Sequence, residues 1–293
     1  MAVKNRIIGL GVIALFIYLY GIYGLGSVCA QGSYPQRIIS LGPSTTEELY
    51  LLGVEDRIVG VTRYCTRPSR AVKKEKVGAV VEVNLEKVVS LRPDLVLATT
   101  LTDPKTVTKL KDMGIKVITI APAKDFIQIC QQLLQLGDLV GKRGEAEDIV
   151  RQARKEAESV RSRIEKLPRV PVFVQVGAKP LVTANRDSFI NNLIELAGGE
   201  NIVENSAELS YMPYSREKVL EADPDYIVIV TMGLAGEEEK TKWESFKEMK
   251  AVKNKNIRVI DAYDICSLTP VTFVETLKDI AGMLHPVEGE GGR

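Results

Sequence analysis

Few side chains here are equipped for covalent or acid–base chemistry. The single histidine, His285, stands beside Pro286 near the end of the 293 residues. A Ser-His-Asp or Cys-His arrangement would have to recruit it, and nothing in its setting recommends it as a base. There is no Walker loop, CxxC pair or GxSxG elbow, and Gly9-Leu10-Gly11 falls in an apolar N-terminal run, not between a strand and a helix. A zinc or manganese site held by side chains typically collects several imidazoles, so neither a catalytic residue nor an intrinsic metal or cofactor is expected. The chain does offer binding chemistry. Arg63, Arg67 and Arg70 fall within the loop VTRYCTRPSRA, and guanidinium groups pair bidentately with carboxylate or phosphate. Solvated loop arginines are an equal alternative, and Asn185 and Arg186 in VTANRDSF pose the same choice.

A second feature is a unit written twice. NLEKVVSLRPDLVLA (84–98) returns as SREKVLEADPDYIVIV (215–230). Asn84 and Ser215 are N-cap residues, whose side-chain oxygens accept a free backbone N–H of the first turn. Glu86 and Glu217 follow two residues later, where the helix dipole favours an anion. Pro93 and Pro224 stop each helix, because the residue before proline is pushed out of the α region. A β-rich run ends each copy, so each is a short helix feeding a buried strand. One repeat at long range predicts two similar lobes, not a solenoid.

The flanking segments agree. RIISLG (37–42) and VPVFVQVG (170–177) read as strands. PSTTEELYLLG (43–53) and SFINNLIELAGG (188–199) read as helices closed by glycine, the first with Ser44 and Glu47 at capping-box spacing. Downstream, 110–120 and 246–262 each read as helix end, turn and strand. Alternating strands and helices with near-continuous apolar strands predict an α/β fold with mostly parallel sheets. Lobes are expected over 34–123 and 169–285, joined by a stiff helical strut over 124–168, with a flexible tail at 286–293. Cys130 falls on an apolar helix face of the strut and reads as core.

At the N-terminus, Lys4 and Arg6 precede a long apolar run and small residues at Val28 and Ala30. That fits a secretory signal over 1–30 cut after Ala30. The run nears the length of a membrane span, so a retained anchor is the second option. Lipidation at Cys29 is the third, since Gly26-Ser27-Val28 is a poor lipobox. Each option places the remaining chain outside the cytoplasmic membrane. Without 1–30 the chain carries 37 basic (39 − 2) and 38 acidic residues, a formal charge of −1, which is no nucleic-acid footprint. Cys65, Cys130 and Cys266 remain, too few for a disulfide scaffold.

The order RIISLGPSTTEELYLLGVEDRIVGVTRY, NLEKVVSLRPDLVLA, LKDMGIKVITI, AGGENIVENS and YSREKVLEADPDYIVI resembles the helical-backbone (class III) substrate-binding proteins of ABC importers. These carry cobalamin, ferric siderophores or haem, and the likeness spans about residues 36–285, nearest to the cobalamin binders. The resemblance implies two Rossmann-like lobes joined by a long backbone helix, and capture of a cobalt- or iron-containing chelate between them. It implies a monomer that docks on a permease dimer through one exposed glutamate per lobe, at Glu86 and Glu217; helix-dipole complementation alone is the plainer account of both. It places Tyr64 and Tyr211 at aromatic positions facing the chelate, with half-buried tyrosines as the plainer account. Val80 and Val81 stand where the cobalamin binders carry a further aromatic residue, so one wall departs from their pattern. Cys65, beside Tyr64, and Cys266, in DAYDICSLTP, fall on cleft loops, where they could ligate a metal, pair as a disulfide or be small buried groups. Ligand contacts are therefore expected from Tyr64, Cys65, Arg67, Asn185, Arg186, Tyr211 and Cys266. A ferric siderophore or haem is the alternative cargo. A ligand sensor, or an enzyme using a cleft carboxylate such as Asp264, is the alternative of another class.

Overall fold

A computed structural model describes residues 34–204, 209–231 and 235–286. The expected signal or anchor with Cys29, and the tail beyond Pro286, lie outside the described residues. Among these, no helix is long and apolar enough to cross a membrane.

The N-terminal sheet has the order β2-β1-β3-β4, from β1 (Ile38–Ser40), β2 (Ile58–Val61), β3 (Leu95–Thr99) and β4 (Lys116–Ile120). All its pairings are parallel, with Ile38 opposite both Ile58 and Leu95. The C-terminal sheet is built on β5 (Val170–Ala178), with β6 (Leu181–Ala184), β7 (Gly199–Asn201), β8 (Tyr211–Pro213), β9 (Tyr226–Thr231) and β10 (Ile257–Asp261). β10, β9, β5 and β7 pair in parallel, while β5–β6 and β6–β8 are antiparallel. The fold is α/β with two lobes and mostly parallel sheets.

Both repeated units fold alike. Asn84 caps the helix Leu85–Ser90 by accepting from Lys87 N at 2.9 Å, and Ser215 caps Arg216–Ala222 by accepting from Lys218 N at 3.3 Å. The capping box expected at Ser44 and Glu47 does not form. Gly42 is the N-cap of Pro43–Leu51 and Pro43 is the first helical residue. Proline's fixed φ already suits that position, and Glu47 is left free for another contact, described below.

The strut is two helices, Phe126–Val140 and the long Arg143–Ile164. Gly141, at φ 74°, turns the chain between them. Helix Arg143–Ile164 folds back so closely that a Cβ on Gly137 would stand 2.7 Å from the Ala146 Cβ. The last helix, Pro270–Leu284, packs on both, and Phe273 stacks on Phe126 at 4.6 Å between ring centroids. One apolar cluster runs from Ile38 and Leu97 through Cys130, Leu133 and Val150 to Val172 and Leu277. The strut is thus packed into a core continuous with both sheets.

Candidate functional site

In open α/β sheets, ligands sit outside the carboxyl ends of the strands. On the C-terminal lobe those ends enclose a cavity of about 330 Å3. Its walls include Gln175 and Gly177 from the end of β5, Ile229 and Val230 from the end of β9, Tyr211, Glu239 and Cys266. A larger hollow of about 620 Å3 lies between Arg163, Arg169, Asp225 and His285. It opens at the amino ends of β5 and β9, the wrong side of the sheet for a ligand site. His285 is half-buried there, with Nε2 3.4 Å from the Gly198 carbonyl.

Tyr211, 44% exposed, stands on β8. The cavity walls, and then the nearby Cys266, push its phenol up to about 12, so it stays protonated at neutral pH. Cys266 ends the short helix Ala262–Cys266 and is exposed. Burial against the cavity walls, and then Asp261, push its thiol up, holding it in the neutral form. Beneath them lies a buried polar cluster. Gln175 Nε2 donates to Glu239 Oε2 at 2.9 Å, and Trp243 Nε1 donates to Gln175 Oε1 at 2.7 Å. Arg216 and Lys242 both pair with Glu239, and the Arg216 guanidinium lies 4.4 Å from the Trp243 ring. Burial pushes the Glu239 carboxyl up, but hydrogen bonds from Lys242, Gln175 and Arg216 more than reverse this and leave it below the usual carboxylate range.

On the N-terminal lobe, Tyr64 follows β2 and is 52% exposed. Cys65 beside it is not available to a ligand. It is fully buried, with its sulfur 3.1 Å from Thr46 Oγ1 and 3.2 Å from Thr62 Oγ1. Both Cys65 and Cys266 are free thiols, and Cys130 is buried in the strut. Arg67 is also committed elsewhere: it spans the lobes, donating to Asp264 at 2.9 Å and to the Ser267 carbonyl at 2.9 Å. Its Nε stands 3.3 Å from Glu47. Arg70 pairs with Glu55, and Arg63 is exposed.

Asn185 and Arg186 are likewise structural. Asn185 is buried, accepting from Asp187 N at 2.9 Å and donating to the Leu209 carbonyl at 2.7 Å. Arg186 donates to the Asn201 carbonyl at 3.1 Å and pairs with Glu200 at 3.3 Å. A polar group enclosed by protein must find its partners there, as Asn185 has; Arg186, with 40% of its side chain exposed, makes its contacts at the surface. Of the seven expected contacts, Tyr211 and Cys266 share one cavity and Tyr64 faces solvent from the other lobe. Cys65, Arg67, Asn185 and Arg186 are held by the protein itself. Glu86 and Glu217 are exposed in the first turns of their helices.

Sequence reasoning missed Gln175 and Glu239. Glu239 belongs to the charged run GEEEKTKW and resembles its solvated neighbours. The available signal was spacing: the single tryptophan, Trp243, follows four residues later, on the same helix face. Leu101, 68% exposed in the loop after β3, also escaped notice.

Residues 38–263 match the sequence profile of the periplasmic binding protein family. An uncharacterized ABC transporter substrate-binding lipoprotein of Bacillus subtilis is 30% identical over 86% of this chain and 81% of its own. The vitamin B12-binding protein of Vibrio vulnificus is 29% identical over 85% of this chain and 90% of its own. A crystal structure from Staphylococcus epidermidis, described as a possible iron-binding periplasmic solute-binding protein, superposes with a TM-score of 0.77 at 27% identity. It is matched over 86% of this chain and 100% of its own. The chain belongs to the periplasmic binding protein family, in the helical-backbone class of ABC-importer substrate-binding proteins.

Proposed function

We propose that this protein captures a corrinoid outside the cytoplasmic membrane, in the cleft between its lobes, and delivers it to an ABC importer. The observation that carries this reading is the cavity at the carboxyl ends of β5 and β9, with Tyr211 on its wall. Its volume of about 330 Å3 lies at the lower end of ordinary ligand pockets, so it takes only part of a macrocycle. The remainder lies toward the N-terminal lobe, where the exposed Tyr64 offers an aromatic face. Flat rings suit a flat chelate, because they bury large area with little entropy loss. The name of the Vibrio vulnificus relative favours a corrinoid. The Staphylococcus epidermidis structure favours the second reading, an iron chelate such as a ferric siderophore or haem.

Delivery is assigned to Glu86 and Glu217. Each is an exposed carboxylate on the first turn of a helix, one per lobe, and two like charges at a fixed separation set register on a two-fold partner. The cargo is tested by calorimetric titration of the protein with cyanocobalamin, then hemin, then ferric siderophores. One-to-one binding of cyanocobalamin that weakens in Tyr64→Ala and Tyr211→Ala supports the corrinoid. Binding of hemin or a siderophore instead selects the second reading, and no heat from any of them refutes chelate capture.

A further inference from the structure

Arg67 reaches from the loop after β2 onto the helix Ala262–Cys266 of the opposite lobe. It donates to Asp264 Oδ1 at 2.9 Å, to the Ser267 carbonyl at 2.9 Å and to the Tyr263 carbonyl at 3.3 Å. Its guanidinium lies 4.1 Å from the centre of the Tyr263 ring. On its own lobe Nε stands 3.3 Å from Glu47 Oε2, and the Arg67 side chain is only 27% exposed. A helix of five residues closes few internal hydrogen bonds, and nucleating one is unfavourable in isolation. Its amino end is held by Asp261, which accepts from Tyr263 N at 2.7 Å. At its carboxyl end the orphan carbonyls need partners; Arg67 supplies them from the other lobe, and Thr276 Oγ1 takes the Asp264 carbonyl at 3.1 Å. The last residue of this helix is Cys266, which lines the cavity with Tyr211.

We propose that Arg67 is a positioning residue: it docks the N-terminal lobe on the helix that carries Cys266 and so sets the C-terminal wall of the cleft. It does not grasp an anionic group of the ligand. With its hydrogen bonds directed at Asp264 and two backbone carbonyls, little of the guanidinium is left for a cargo. The consequence for affinity rests on the capture reading; the contact itself is tested without any ligand.

The test is the rate of Cys266 alkylation by iodoacetamide in the ligand-free protein, followed across pH. Cys65 and Cys130 are fully buried, so in a Cys29→Ser background, which removes the one cysteine outside the described residues, the fast-reacting thiol is Cys266, and Cys266→Ser must abolish it. In Arg67→Ala the freed helix opens more often, and the alkaline plateau rate rises about tenfold, as for loss of charge-assisted hydrogen bonds to a locally opening element. The midpoint in pH moves down toward the ordinary thiol range, because opening the helix relieves the burial that is the main cause of its elevation. Arg67→Lys falls between, and Arg67→Ala with Asp264→Ala adds little to Arg67→Ala alone, since the two groups act as a pair. If Arg67→Ala exposes Cys65 and Cys130 as well, Asp264→Asn is read in its place, with a smaller rise of the same kind expected. A plateau within about twofold of the parent in both variants overturns the proposal, whatever happens to cyanocobalamin or hemin affinity.

Discussion

Glu48 lies on the helix Pro43–Leu51 with only 5% of its surface exposed. Among the described residues no hydrogen bond or ion pair reaches its carboxylate. Burial, and then the neighbouring Glu47, push its carboxyl from 4.5 up to about 8. The folded protein therefore binds a proton that the unfolded chain has lost near neutrality. The stability this confers is fully present below the unfolded value and is lost as pH rises through the folded one. Replacing Glu48 with glutamine removes the titration and keeps the shape. At about 1.36 kcal/mol per pKa unit, the advantage of Glu48→Gln over the parent should grow by about 3.5 kcal/mol between about pH 5 and about pH 8. It should level off above the folded value. Paired urea denaturation curves measure this difference, in which all other titrations cancel. A difference that stays constant within about 1 kcal/mol across that range would refute the reasoning, for it would mean that Glu48 is solvated or paired when charged.

Gly137→Ala should destabilise the protein by about 1–2 kcal/mol in a thermal scan. A helical alanine gains about 1 kcal/mol over glycine, but the overpacking costs more, because the new methyl would meet Ala146 Cβ at 2.7 Å and the Lys142 carbonyl at 2.9 Å. Glu239→Ala should cost about 3–5 kcal/mol in denaturant by stranding partly buried Arg216 without its counter-ion. The gap between the parent and Glu239→Gln should shrink as pH falls through the lowered Glu239 value, because protonation then breaks the same pairs in the parent; a gap independent of pH would discount the ion pairs. Reversing charge at Glu86 and Glu217 together should leave cargo affinity within about twofold and abolish uptake in cells, since rim charges act on the encounter with a partner. A parallel loss of affinity would move these residues from docking to the cleft.

The sequence by itself determined the elements that local physics controls. Asn84, Ser215 and Ser188 act as N-caps, and Gly53 and Gly198 end their helices at positive φ. Pro93 and Pro224 separate helix from strand in both repeated units. These outcomes depend on a few neighbouring residues, and the repeated spacing of two such units was enough to announce two lobes. Tertiary structure decided which polar side chains remain free. VTRYCTRPSR offers a tyrosine, a thiol and three arginines within ten residues, and nothing in their order shows that Cys65 turns inward to Thr46 and Thr62. Arg67 finds its acceptors 197 and 200 residues away, at Asp264 and the Ser267 carbonyl. Asn185 and Arg186 look equally available until β7 and the approach to β8 are laid beside them. Glu239 lies in an acidic run, with Lys242 one turn along its own helix, and becomes buried only because Gln175 and Arg216 converge on it from other elements. A cap is satisfied within one turn of its own chain, whereas an enclosed charge is satisfied by whatever the fold brings to it, and that is decided by the arrangement of the sheets.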